Sequence, residues 1–149
     1  MIQNPSPSIV TPIPKTDDET VTSSAVLQAD DELVFPVVAD GVYIVEACLY
    51  STFGEGDIQV GFSGPATNFV SIRAQIIADG NLPAFGATSS LSTGIPLVTS
   101  SATEGMIKME CAFAFSASGT LSLVWAQNSS NGTGTTVKAG SYLIITQVE

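Results

Sequence analysis

Between Met106 and Ser118 the chain alternates. Ile107, Met109, Cys111, Phe113 and Phe115 fall on one set of positions, and Lys108, Glu110 and Ser116 on the other. Successive side chains of a strand point to opposite faces, so this period of two predicts a strand buried on one side. IQVGFSG (58–64) alternates in the same way and puts Ile58, Val60 and Phe62 together. VYIVEACLYS (42–51) is apolar at nearly every position, the mark of a central strand. DELVFPVV (31–38) carries Pro36, which lacks a ladder donor and predicts an edge strand or a bend.

TVTSSAVLQ (20–28), NFVSIRAQIIA (68–78), IPLVTS (95–100), LSLVWAQNS (121–129) and TVKAGSYLIITQV (136–148) complete the series. The spacing in 68–78 also fits a helix, but its Val, Ile and Phe content favours a strand. Turns are expected at Asp40-Gly41, at GEGD (54–57), at Gly64-Pro65 and at Gly119-Thr120. Residues 79–104, rich in Gly, Ser and Thr, are the loosest stretch. Eight or nine strands without an amphipathic helix predict an all-β fold. That fold is an antiparallel β-sandwich, for which a jelly roll is a main solution. An immunoglobulin-like sandwich is the runner-up. It lacks its Cys–Trp–Cys framework here, because Trp125 follows both Cys48 and Cys111.

Residues 1–20 break the pattern. Pro5, Pro7, Pro12 and Pro14 exclude helix and favour an extended, partly polyproline II course. At roughly 3 Å per residue such a run reaches about 60 Å. Ile2, Ile9, Val10 and Ile13 punctuate it. The segment is therefore either a disordered tail or an arm that docks on a neighbouring subunit. The expected division is an arm at 1–20 and a sandwich at 21–149.

Charge narrows the partners. The 149 residues carry fourteen acids against Lys15, Arg73, Lys108 and Lys138, a net charge of −10, and only 12% are charged. Phosphate binding needs clustered Lys and Arg, so neither nucleic acid nor an anionic membrane is an expected partner. So few charges suit a surface partly buried against other subunits. No run approaches 18 apolar residues, and the N-terminus lacks the basic start and apolar block of a signal peptide. Assembly in a cytoplasm is the expectation. The glycosylation patterns at Asn128 and Asn131 then carry little weight.

No constellation for catalysis stands out. The chain has no histidine, which removes the commonest general base and metal ligand. Cys48 and Cys111 do not have zinc spacing; two buried thiols are expected, with a disulfide the other reading. The acids Asp17, Asp18 and Glu19, and Asp30, Asp31 and Glu32, form two clusters at strand entrances. Solvated strand-blunting charges are the expectation there. A carboxylate pair for glycoside hydrolysis and a Ca²⁺ site are the sharper alternatives. GEGD has no helix after it to cradle phosphate. Trp125, Phe113 and Phe115 are expected in the core rather than in a sugar site. The expected protein is not an enzyme and needs no cofactor.

The segment LSLVWAQNSSNGTGTTVKAGSYLIITQV (121–148) resembles the C-terminal hairpin of small virion proteins from tailed bacteriophages. A Trp-Ala-Gln strand runs into a Ser/Asn/Thr loop, then V-x-x-G-S-Y-L. LQADDELVFPVVADGVYIVEACLYS (27–51) and DIQVGFSGPA (57–66) extend the resemblance more weakly. VVADGVYIVEA and the proline-rich start depart from that pattern. The resemblance implies a head decoration (cement) protein, a head fibre or a tail-associated jelly roll, often trimeric. For a decoration protein the partners are the major capsid protein lattice and two further copies, on the outer surface of the virion head. Ile2, Ile9, Val10 and Ile13 are then the expected capsid-contact arm. Asn128, Ser129, Asn131 and Thr133 form an exposed loop. The alternative is a head-fibre or tail-tip protein that recognises a host glycan or receptor through the loops at 79–94 and 128–136.

Overall fold

The computed structural model describes residues 8–78, 84–99 and 103–148. Among these residues there are twelve strands and no helix. They are β1 (Ile9–Pro14), β2 (Glu19–Val21), β3 (Gln28–Val37), β4 (Val42–Thr52), β5 (Ile58–Ser63) and β6 (Thr67–Ala78). The chain continues through β7 (Ala84–Thr88), β8 (Ile95–Leu97), β9 (Glu104–Phe115), β10 (Gly119–Ala126), β11 (Thr135–Val137) and β12 (Tyr142–Gln147). Every pairing is antiparallel.

The large sheet runs β1-β12-β4-β9-β6-β7, with β11 joining β2 to β4. The small sheet runs β3-β10-β5-β8. Strands β3 to β10 account for a jelly roll by themselves: β4-β9-β6-β7 face β3-β10-β5-β8, and most connections cross between sheets. The four remaining strands extend the large sheet beyond β4.

The alternation read in the sequence sets the core. Ile107, Met109, Cys111, Phe113 and Phe115 are all buried, as are Ile58, Val60 and Phe62. Phe62 from the small sheet meets Phe113 from the large one edge-on at 5.6 Å, and Tyr43 meets Phe115 at 5.7 Å. Trp125 is fully buried. Pro36 lies on β3, an edge strand, where a missing donor breaks no ladder.

Five expectations need correction. The strand expected at 20–28 ends at Val21, because Ser23 turns with φ +55° and donates its N–H to Asn131 O. The strand expected at 136–148 is two strands. Lys138–Ser141 form a turn in which Gly140 has φ +91°, a region that disfavours side chains. The loose stretch hides β7, which folds back on β6. Gly86 lets it lie close to β8, since a Cβ there would stand 2.5 Å from Ile95 Cγ2. The closing segment is not a hairpin: β10 pairs with β3 and β5, and β12 with β1 and β4, in opposite sheets. Finally, the sheet does not begin near residue 20. Ile9–Pro14 pair along β12, so part of the expected arm is a strand of the body. Pro12 and Pro14 are tolerated because β1 is an edge strand.

Candidate functional site

The two acidic clusters of the sequence meet at one lysine. Lys15 follows β1, and its Nζ lies 3.1 Å from Glu19 Oε2, 3.0 Å from Asp30 Oδ1 and 3.6 Å from Glu32 Oε2. Asp30 Oδ1 also accepts the N–H groups of Glu32 and Leu33, and Oδ2 accepts the indole N–H of Trp125 at 3.2 Å. Drawing these two backbone donors to a side chain accompanies the register shift between β3 and β10 at this point. Burial opposes the charge on Lys15. The hydrogen bond and charge of Asp30, followed by those of Glu19, outweigh it and hold the ammonium above its ordinary pKa. Glu32 accepts the Thr16 hydroxyl and the N–H groups of Thr16 and Asp17, which lower its carboxyl to about 2. The ammonium stands where a bound cation would stand, and Asp30 is fully engaged. The described residues contain no cluster of acids, thiols or histidines fit to hold a metal. This arrangement clasps the two sheets together; the Ca²⁺ reading does not fit it.

A second polar hub orders the loop at 128–136. Gln127 is completely buried. Its Oε1 accepts the N–H groups of Ser24 and Asn131, and its Nε2 donates to Thr133 O at 2.7 Å. Ser129 N–H donates to Gly56 O, and Thr133 N–H to Asn131 Oδ1. Ser129 and Thr133 are exposed, while Asn128 and Asn131 are half-buried.

Cys48 and Cys111 are both buried free thiols. They sit on neighbouring strands but out of register, Cys48 opposite Lys108 and Cys111 opposite Val45. Burial pushes the Cys111 thiol up to about 12.

The largest unassigned feature is the outer face of the large sheet, the side turned away from the small one. Register places its residues in rows. One row runs Pro12, Ile144, Glu46, Glu110, Arg73, Ala87, and the next Pro14, Tyr142, Cys48, Lys108, Gln75, Phe85. A third contains Tyr50, Met106 and Ile77, and a fourth Val10, Thr146, Ile44, Ala112 and Ser71. Among the described residues, twelve large hydrophobic side chains stand exposed. Seven of them lie on this face: Val10, Ile44, Tyr50, Phe69, Ile77, Phe85 and Tyr142. Phe85 is 78% exposed. A groove of about 570 Å³ beside it is lined by Arg73, Gln75, Ala87, Lys108 and Glu110. Two smaller hollows, of about 290 and 170 Å³, both border Glu46 and Glu110.

Among the described residues the four charges at the centre of this face form no ion pair. All ion pairs among the described residues run to Lys15, so Arg73, Lys108, Glu46 and Glu110 have no such partner. Glu46 and Glu110 stand directly opposite each other on β4 and β9, an unfavourable like-charge pairing.

The expected capsid-contact residues are divided by the fold. Ile9 and Val10 are exposed on β1, but Ile13 packs against the core. Ile2 lies outside the described residues. The expected loop residues do share one loop, fixed by Gln127. Sequence reasoning missed the outer face. Its signal was present in the even positions of 42–50, where Ile44 and Tyr50 keep apolar side chains on the side opposite Tyr43, Val45 and Leu49.

No protein-family model and no curated protein matches the chain. Among solved structures it is similar to the Eiger TNF of S. frugiperda, at 11% identity and a TM-score of 0.44, over 97% of this chain and 94% of that one. It is also similar to the tripod (BppUct-A-L) from the baseplate of bacteriophage Tuc2009, at 10% identity and 0.33, over 94% and 63%. A third likeness is to the Gx strain of infectious bursal disease virus, at 8% and 0.27, over 99% and 38%. The chain spans less than two thirds of the latter two. At these values the likenesses carry no inference about function.

Proposed function

We propose that the chain is a non-enzymatic structural protein of a tailed-bacteriophage virion, a decoration or cement protein that binds the assembled head as a homotrimer. The observation that carries this reading is the outer face of the large sheet. A group of exposed apolar side chains on one face marks an interaction surface, which suits a protein of an assembly. The clasp at Lys15 and the hub at Gln127 serve the fold rather than a reaction. The sequence resemblance supplies the virion.

A ligand that binds only the assembled lattice stabilises that lattice by mass action, and three linked copies turn weak contacts into a durable one. Ile2 and Ile9 are the proposed contacts with the major capsid protein lattice; Val10 is left out because it lies on the outer face of the large sheet. Ile13 is withdrawn from that set because it serves the chain's own core.

The alternative is a head-fibre or tail-tip protein that recognises a host glycan or receptor. The observation in its favour is the loop at 128–136, which presents Ser129 and Thr133 on a framework already ordered by Gln127. Cryo-electron microscopy of the virion separates the two. Copies over the whole shell support decoration; copies at a vertex or tail alone overturn it in favour of recognition.

A further inference from the structure

We propose that the outer face of the large sheet is buried between copies of this chain, with Arg73 and Lys108 of one copy set against Glu46 and Glu110 of another. The inference deepens the trimer reading above and rests on it.

Three observations select a second copy as the occupant. The first is charge. The chain carries −10, yet the four charges in the two central rows of this face sum to zero. Glu104 lies at its rim, at the end of β9. Two anionic copies repel each other over most of their surface. They approach most easily where each presents neutrality and complementary signs.

The second is that these charges form no ion pair among the described residues. This holds for Arg73 and Lys108 although Arg73 stands directly opposite Glu110 and Lys108 lies two residues from Glu110 on β9. Glu110 has Arg73 opposite it on β6, but Glu46 has only Ile144 and Glu110 across its two neighbouring strands, a local repulsion that a cation from another copy relieves.

The third is composition. The face supplies aromatic and aliphatic anchors at its margins, Tyr50, Phe69, Ile77, Phe85 and Tyr142, around a charged centre. Aromatic anchors with arginine are the groups that dominate association energies. A two-fold axis through the centre would bring the Glu46 and Glu110 pair against itself. A cyclic, head-to-tail contact offsets the carboxylates of one copy onto the cations of the next, as closed rings do.

Sedimentation equilibrium of the intact protein tests the proposal, with circular dichroism and thermal melts of every variant. Wild type is expected at three times the chain mass of 15.3 kDa. Ile44→Asp, Phe69→Asp and the double variant Arg73→Glu/Lys108→Glu should each stay folded and raise the dissociation constant at least ~30-fold. Val26→Asp and Val98→Asp remove hydrophobic side chains that are as exposed but lie off the face. They should leave the trimer intact. A monomeric wild type at ~100 µM overturns the proposal. So does a trimer that survives the folded face variants. A monomer whose face variants lose binding to undecorated shells assigns the face to the capsid instead. Head or tail location is read separately from virions, so failure of that reading is distinguishable from failure of this one.

Discussion

Lys15 Nζ and Asp30 Oδ1 lie 3.0 Å apart, and the two side chains are 1% and 0% exposed. One follows the edge strand of the large sheet, and the other lies in the edge strand of the small sheet. Their pair therefore closes one side of the sandwich. A buried pair of this kind contributes less by its attraction than its disruption costs, because one partner alone is left charged and dry. Lys15→Met should destabilise the fold by about 3–5 kcal/mol. Adding Asp30→Asn should recover part of that loss, since the stranded charge is gone. Urea unfolding of the two variants and wild type checks both statements.

The ends of the stability–pH curve follow from three groups. Glu32 is lowered from 4.5 to about 2 in the fold, so its contribution is present above about 4.5 and is lost as pH falls toward about 2. Lys15 is raised above 10.5 and Cys111 is raised from 9.0 to about 12. Their contributions are complete below those ordinary values and are lost as pH rises through the folded ones. Melting temperature should therefore stay level between about pH 5 and 9 and fall on either side. Glu32→Gln should flatten the acid limb, and Cys111→Ala should soften the alkaline one.

Deleting residues 1–14 removes β1 from the sheet. The loss of Ile13 from the core should cost about 1–3 kcal/mol on its own, and β12 becomes an open edge. A lower denaturation midpoint and a stronger tendency to aggregate are the expected results. An unchanged midpoint would show that β1 contributes nothing to the body.

Gln127→Ala strands two backbone donors, of Ser24 and Asn131, and one acceptor, of Thr133. Each unsatisfied group costs about 1–3 kcal/mol when water cannot reach it. Amide hydrogen exchange should accelerate at Ser24 and Asn131 and stay slow at Phe113, in the core of β9. Equal protection at all three positions in the variant would remove Gln127 as the organiser of the loop.

Where one face of a strand meets the core, period-two alternation is visible in the chain itself. β9 and β5 were legible for that reason, as was the edge position of β3 from Pro36. β7 was not, because AFGAT has little alternation to show and takes its conformation from pairing with β6. The C-terminal pair was misread because periodicity says nothing about which sheet a strand joins. β10 and β12 are near in sequence yet lie in opposite layers. The acidic clusters looked like solvated ends, since no pattern announces that Lys15 returns between them. The outer face escaped for a related reason: a strand apolar on both sides looks merely central until its neighbours show that one side stays open.

The pairing of β1 with β12 has a consequence for synthesis. β1 leaves the ribosome first among the described strands, and its one partner leaves last. With every other described strand between them, the nascent chain carries Ile9–Pro14 unpaired until β12 has emerged. Non-local closure of this kind is slow and leaves a strand exposed in the meantime. Pro12 and Pro14 keep that waiting strand from offering amide donors at two of its six positions, which limits its pairing with other nascent chains.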